Sequence, residues 1–370
     1  MRIAILTLPL HTNYGVILQA YALQTILERM GHKVEVLDKR RKEKSTLPLD
    51  VKIKRFILKY ILFRKINPLR EDIIYQRRKI ENKHTWKFAD KYIHRREISS
   101  FSEIKDGEYD AIVVGSDQVW RPCYFSGNYH KPMQTAFLDF TENWNIKRIS
   151  YSASLGCDEW EFSDKETFDC RSLISRFAAV SVREEDGKYL IINNLNFERV
   201  TVMPDPTLLL CKEDYINLFT TFNLPKSKGN LLVYFLDETE DKNILIRKVA
   251  LEKNLTPFQT NVPEKDVKVL TQPKVECWLR GFHDANLIVT DSFHACIFSI
   301  IFKKDFIVYG NKDRGISRIK NLLSTFELED RFIENSTKFQ FKNIKSSVQN
   351  NNKINQLRTS GLFFLRENLK

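Results

Sequence analysis

"RIAILTLPLHTNYGVILQAYALQTILERMGHKVEVLD", residues 2–38, holds three patterns in succession. RIAILTL (2–8) is a short β-rich run, GVILQAYALQTILERMG (15–31) repeats its apolar residues at helical spacing and stops at Gly31, and HKVEVLD (32–38) is strand-like and ends on an acid. Strand, helix and strand in that order form the repeating unit of a parallel sheet. YDAIVVGSD (109–117), KRISYSAS (147–154), FAAVSVRE (177–184) and VTVMPDPT (200–207) continue the style. Each ends in small or polar residues, where open α/β sheets place ligands.

The pattern then restarts. GNLLVYFLD (229–237) and ANLIVTDS (285–292) read as strands, NILIRKVALEKN (243–254) and HACIFSIIFK (294–303) as helices, and DFIVYG (305–310) as a further strand. The expectation is an α/β chain of two Rossmann-like domains with a cleft between them: 1–210, carrying a basic insertion at 39–98, and 211–345. Pro204 and Pro206 stiffen the crossing. The tail 346–370 reads as a final helix, interrupted by Gly361, that returns to the first domain.

Composition narrows the function classes. With 370 residues, 42% of them hydrophobic, the chain can bury a large core. No apolar stretch reaches the roughly 20 residues a membrane span needs, and the N-terminus reads as a first strand instead of a secretion signal, which places the chain in the cytoplasm. Six scattered cysteines, with no C-x-x-C pair, are expected as small core residues. Together with seven histidines lacking H-E-x-x-H spacing, they give no reason to expect a metal. A glycine-rich dinucleotide fingerprint and a phosphate-binding G-x-x-x-x-G-K loop are both absent.

The net charge of +12 is concentrated: residues 39–70 hold twelve Lys or Arg against Glu43 and Asp50. Within it, Ile53, Phe56, Ile57, Tyr60 and Ile61 fall at helical spacing while Lys52, Arg55 and Lys59 take another face. A basic amphipathic helix over 51–65 suits an anionic membrane surface; the ordinary alternative packs its apolar side on the body and leaves its charges in water. A nucleic-acid partner is not expected, since the segment is apolar on one side and carries no reader motif.

Four patterns can carry chemistry. Asn13, Tyr14 and Gly15 stand where the first strand turns into the first helix, a place for an anion or hydroxylated ligand, or for a plain cap. Ser116, Asp117, Gln118, Trp120 and Arg121 follow a buried strand, as a carboxylate and ring holding a sugar or as an N-cap and a core tryptophan. Arg183 emerges from an apolar strand, suited to bidentate binding of phosphate or carboxylate, or to an ion pair with Glu184 or Glu185. Thr290, Asp291, Ser292 and His294 make a polar cluster with the side chain best matched to proton transfer near neutrality.

Taken in order, NYGVILQAYALQ (13–24), GSDQVWRP (115–122), SYSASLG (150–156), SVRE (181–184), PDPTLLL (204–210), TDSFHACIFSIIFKKDFIVY (290–309) and SRIKNLL (317–323) resemble the polysaccharide pyruvyl transferase family, over about residues 1 to 335. The resemblance implies a GT-B-like fold and transfer of pyruvate from phosphoenolpyruvate, as a ketal, onto a sugar of a capsular polysaccharide or exopolysaccharide, or onto its lipid-linked precursor. Phosphoenolpyruvate is then a substrate and no further cofactor is implied. A polyprenyl-diphosphate-linked acceptor would draw the enzyme to the inner face of the membrane.

On this chemistry the catalytic set is His294, Asp117 and Arg183. His294 handles a proton at the donor's methylene or hydrogen-bonds its phosphate, Asp117 is a base at the acceptor hydroxyl, and Arg183 is a fixed cation. The donor would meet Arg183, His294, Ser292 and Arg318, with the second domain as the donor side. The acceptor would meet Asn13, Tyr14, Gly15, Asp117, Gln118 and Trp120, the ring serving as a sugar platform. Many family members carry arginine two positions before the histidine, where this chain has Ser292; Lys303, Lys304, Arg314 and Arg318 are the substitutes, Arg318 foremost. The enzymatic alternative is a GT-B glycosyltransferase that uses a nucleotide sugar on the same kind of acceptor.

Overall fold

The first sheet has seven strands: β1 (Arg2–Leu6), β2 (Lys33–Asp38), β3 (Arg95–Glu97), β4 (Ala111–Val114), β5 (Lys147–Ala153), β6 (Ala179–Val182) and β7 (Val200–Val202). They lie in the order β3-β2-β1-β4-β5-β6-β7, all parallel. Ile3, Ala4, Ile5 and Leu6 are fully buried, as is all of β4, because helices cover both faces of the sheet. These positions belong to a computed structural model, which describes residues 1–11, 13–39, 49–61, 70–261, 271–311, 315–344, 348 and 351–370.

The second sheet has β8 (Leu231–Tyr234), β9 (Pro257–Gln259), β10 (Leu287–Thr290), β11 (Asp305–Tyr309) and β12 (Phe332–Ile333), in the order β12-β11-β10-β8-β9, again all parallel. Each sheet reverses its strand order once, between β1 and β4 and between β8 and β10. Such a reversal opens a crevice beyond the carboxyl ends of the strands. The α/β architecture read from the periodicity is therefore present, with three short edge strands, β3, β9 and β12, in addition to those the sequence announced.

Buried contacts join the two sheets. Tyr14 starts the helix Tyr14–Arg29, yet its ring stacks on Trp278 (centroids 5.5 Å apart) and its hydroxyl donates to the Pro273 carbonyl at 2.8 Å. From the other side, Asn321 Nδ2 donates to Asp186 Oδ2 at 2.8 Å. The C-terminal helix Asn351–Asn368 packs Phe364 against Tyr151 of β5, and Arg358 donates to the carbonyls of Leu208 and Leu210. Gly361 does not interrupt this helix. A Cβ there would stand 2.5 Å from the Tyr151 hydroxyl, so the glycine serves close approach between helix and sheet.

The basic insertion contributes β3 and the helix Lys83–Tyr92, whose Phe88 and Ala89 are buried. Its helix Leu49–Tyr60 turns the expected apolar stripe outward, so the alternative in which that side packs on the body does not hold. Residues 62–65 of the segment 51–65 lie outside the described residues. Among the described residues, no helix is long and apolar enough to cross a membrane. Of the six cysteines expected in the core, Cys170 and Cys296 are buried and Cys123 is exposed.

Candidate active site

Chain segments far apart in sequence meet at the carboxyl ends of β4, β5, β6 and β7. After β4 the backbone turns through Gly115, Ser116 and Asp117, with Asp117 in the left-handed region at φ 62°. Hydrogen bonds fix this turn from several sides. Gln19 Oε1 accepts from the Ser116 N–H at 3.0 Å, Thr7 Oγ1 donates to the Ser116 carbonyl at 3.1 Å, and Ser154 N–H donates to the Asp117 carbonyl at 2.8 Å. A fully buried glutamine on a helix is costly unless satisfied, and Gln19 is satisfied by also donating to Thr7 Oγ1 at 2.9 Å.

Arg183 is the hub. Its Nη1 donates to Asp205 Oδ2 and its Nε to Glu184 Oε1, each at 2.9 Å, and its Nη2 reaches Asp117 Oδ1 at 3.4 Å. Its guanidinium also covers Phe293 of the second domain, 4.3 Å from the ring centroid. Burial pulls the arginine's pKa down, but Glu184, Asp117 and Asp205 more than reverse that, holding it above its ordinary value. The expectation that Arg183 offers a free fork to a phosphate or carboxylate is therefore corrected: three carboxylates already occupy its nitrogens. The ion-pair reading was the right one, with a wider set of partners than Glu184 or Glu185.

His294 reaches the hub from the second domain. It lies in the first turn of the helix Phe293–Ile301, at the carboxyl end of β10, and is 6% exposed. Its Nε2 stands 3.5 Å from Asp205 Oδ2, a long contact whose angle does not complete a hydrogen bond, although charge still acts across it. On its other side the imidazole lies against Gly15, where a Cβ would come within 2.1 Å of Nδ1. Only glycine fits at residue 15. Burial pushes Asp205 up, but His294, Arg183 and the Thr207 hydroxyl together hold its carboxyl well below the usual carboxylate range.

Arg318 supplies the second cation, from the first turn of the helix Ile316–Phe326. Its guanidinium lies 5.5 Å from the Phe293 centroid, so the two arginines flank one ring. Burial and the repulsion of Arg183 bring Arg318 down to about 10, which leaves it cationic at neutral pH. Of the four candidate substitutes, it is the one placed in the cluster among the described residues. Lys303 and Lys304 lie beyond the far end of the helix Phe293–Ile301, and Arg314 lies outside the described residues.

The other expected residues divide. Ser292 accepts from the Ala295 N–H and caps the helix that carries His294. Asn13 likewise caps the helix Tyr14–Arg29, accepting from the N–H groups of Gly15 and Val16. Gln118 Oε1 accepts from Arg121 Nη1 at 3.4 Å, next to Gly156. Two acceptor contacts are overturned. Trp120 is 0% exposed, stacked on Phe137 at 4.7 Å and donating to the Ala136 carbonyl, so it offers no face to a sugar. Tyr14 is spent on the domain junction described above.

Asp205 has no role in the sequence reading, and Glu184 has one only as an ion-pair partner of Arg183. Asp205 was treated only as the residue between two stiffening prolines. The available signal was a carboxylate at the end of β7, level with Asp117 after β4 and Arg183 after β6. Asp291, beside His294 in sequence, turns away from the cluster: it accepts from Lys242 Nζ at 2.7 Å and from the N–H groups of Leu236 and Asp237, tying β10 to the loop after β8.

A hollow of about 550 Å³ opens beside the cluster, lined by Arg121, Cys157, Asp158 and Asp186 from the first domain and by Gly315, Ser317, Lys320 and Asn321 from the second. A larger one, about 740 Å³, adjoins it at Ile316 and Lys320 and runs toward β12, away from His294. A third hollow, of about 100 Å³, is the one lined by the cluster itself, through Arg183, Glu184, Asp205, Phe293 and Arg318, and it shares Asn321 with the 550 Å³ one. Gly315 closes one side of the latter: a Cβ there would stand 2.2 Å from the Gly156 carbonyl oxygen.

The sequence model for polysaccharide pyruvyl transferases matches residues 13–313. The chain belongs to that family. All the charged residues of the cluster except Arg318 lie inside the matched span. Among solved structures it is similar to UDP-GlcNAc 2-epimerase from Neisseria meningitidis, at 10% identity and a TM-score of 0.50, over 100% of this chain and 99% of that one. It is also similar to UGT89C1 of Arabidopsis thaliana, solved with UDP-L-rhamnose, at 10% identity and a TM-score of 0.50, over 99% and 95% of the two chains. These likenesses establish a GT-B-type fold for the chain. No curated protein matches its sequence.

Proposed function

We propose that the protein transfers the pyruvate group of phosphoenolpyruvate onto a sugar as a cyclic ketal, in capsule or exopolysaccharide biosynthesis. The observation that carries the reading is His294 placed against the ionised carboxylate of Asp205, inside a cluster with two buried guanidinium groups, in a chain of this family. Imidazole is the side chain best matched to proton transfer near neutrality, and Asp205 lies where it can orient the ring.

The chain's own residues then divide the work. His294 gives a proton to the methylene carbon of the donor, leaving positive charge on the carbon that bears the phosphate ester oxygen. A sugar hydroxyl attacks that carbon and loses its proton to a base, for which Asp117 remains the candidate. Phosphate leaves with the ester electron pair, and a second hydroxyl of the same sugar closes the ketal, its proton departing with phosphate. The net change is one phosphoenolpyruvate and one diol giving one ketal and one phosphate. Arg318, Lys320, Ser317 and the N–H groups that begin the helix Ile316–Phe326 are the groups suited to the donor's phosphate and carboxylate. Gln118 and Asn13 are left as polar contacts for the acceptor. A lipid-linked acceptor would set the reaction in the cytoplasm at the inner face of the membrane.

Incubation with a sugar acceptor and either phosphoenolpyruvate or a nucleotide sugar tests the assignment. Phosphate released from phosphoenolpyruvate only when the acceptor is present is the expected result. Release of nucleoside diphosphate instead would assign the cleft to glycosyl transfer.

A further inference from the structure

We infer that the helix Leu49–Tyr60 is an interfacial anchor that inserts its apolar side into an anionic phospholipid surface. At 100° per residue, Ile53, Phe56, Ile57, Tyr60 and the following Ile61 cover an arc of about 140°. All five are exposed, between 40% and 66% of each side chain's residue surface. Phe56 and Tyr60 stack on each other at 5.8 Å. A soluble surface rarely spends so many large apolar residues on one contiguous face without a partner.

The flanks of that face identify the partner. Lys54 borders it on one side, Lys59 on the other, and Arg55 lies behind. Residues 51–61 contain no acid, and the wider segment 39–70 has an excess of ten positive charges. An apolar stripe between lysines lets the aliphatic and aromatic groups enter the acyl boundary while the ammonium groups meet lipid phosphates. A second copy of the chain fits less well, because apposed faces would bring like-charged flanks together. The chain leaves the first sheet for this helix at the carboxyl end of β2, the edge of the sheet on which His294 and Asp205 meet.

The test needs no turnover, so it stands apart from the transferase reading. Full-length protein is sedimented with vesicles of phosphatidylcholine alone and of phosphatidylcholine and phosphatidylglycerol in equal parts, at low and high salt. The protein is expected to pellet with the anionic vesicles and to be released by salt. Phe56→Ser with Ile57→Ser, and separately Lys54→Gln with Arg55→Gln and Lys59→Gln, should each lower partitioning by about tenfold or more while circular dichroism stays unchanged. Equal binding to neutral and anionic vesicles, or no loss in either variant, overturns the inference. So does a dimer in solution that Phe56→Ser dissociates, with no vesicle binding, which would assign the face to a second copy.

Discussion

Asp205 Oδ2 stands 3.5 Å from His294 Nε2 and 2.9 Å from Arg183 Nη1, so one carboxylate links a histidine of the second domain to an arginine of the first. Its other oxygen accepts from the Thr207 backbone N–H and hydroxyl, which fixes its orientation. On the proposed reaction, Asp205 is a positioning residue for His294.

His294→Ala should lower turnover by about 10²–10⁴-fold, the range a positioned acid or base supplies. Asp205→Asn should lower kcat less and leave KM for the donor nearly unchanged, because the carboxylate that orients the ring is replaced while the cations of the cluster stay in place. An unchanged kcat in Asp205→Asn would leave the aspartate a structural part only.

Arg183→Leu should destabilise the fold as well as stop turnover. Removing the cation leaves Asp117, Glu184 and Asp205 as three buried acids without their common partner, and such a break costs about 3–5 kcal/mol. Urea denaturation checks this. Loss of activity at full stability would restore Arg183 to direct anion binding.

Gly15→Ala should fail because of one neighbour, since the added Cβ would fall 2.1 Å from His294 Nδ1. The overpacking should cost about 1–3 kcal/mol. The double variant Gly15→Ala with His294→Ala should recover that stability but not turnover, giving a coupling energy well above the additive expectation.

Stability should depend on Asp205 in a defined pH window. Its pKa is depressed in the folded state, so its contribution is complete above the unfolded value near 3.9 and declines as pH falls further, where the unfolded chain takes up a proton the native state refuses. The stability difference between the wild type and Asp205→Asn should be level from neutrality to about pH 4 and shrink below it. Denaturant titration across that range reads the difference directly.

Trp120→Ala should cost about 3–5 kcal/mol through the cavity it leaves. The acceptor's KM, measured on the folded fraction, should not change, because the indole is enclosed by Phe137 and Phe177.

Legibility followed length and burial. Strands such as Ala111–Val114 and Leu287–Thr290 announced themselves because parallel strands covered on both faces are continuous apolar runs. β9 and β12 did not, since three and two residues at a sheet edge carry no period to detect. At the site, His294 could be singled out by type and neighbourhood, and Arg318 because SRIKNLL (317–323) is part of the family resemblance. The partners of Arg183 could not, because Asp117 and Asp205 lie 66 and 22 residues away from it and meet it only through the order of strands in the sheet. Trp120 shows the opposite failure: a ring beside a carboxylate in sequence points into a different layer once β4 ends.

The shelf that Gly15 offers to His294 has a mechanical consequence. The ring belongs to one half of the molecule and its support to the other, so any motion that parts the halves to admit a polymer-sized acceptor must lift the imidazole from its seat and away from Asp205. On the proposed reaction, entry of the sugar and arming of the acid are thereby geared to a single displacement.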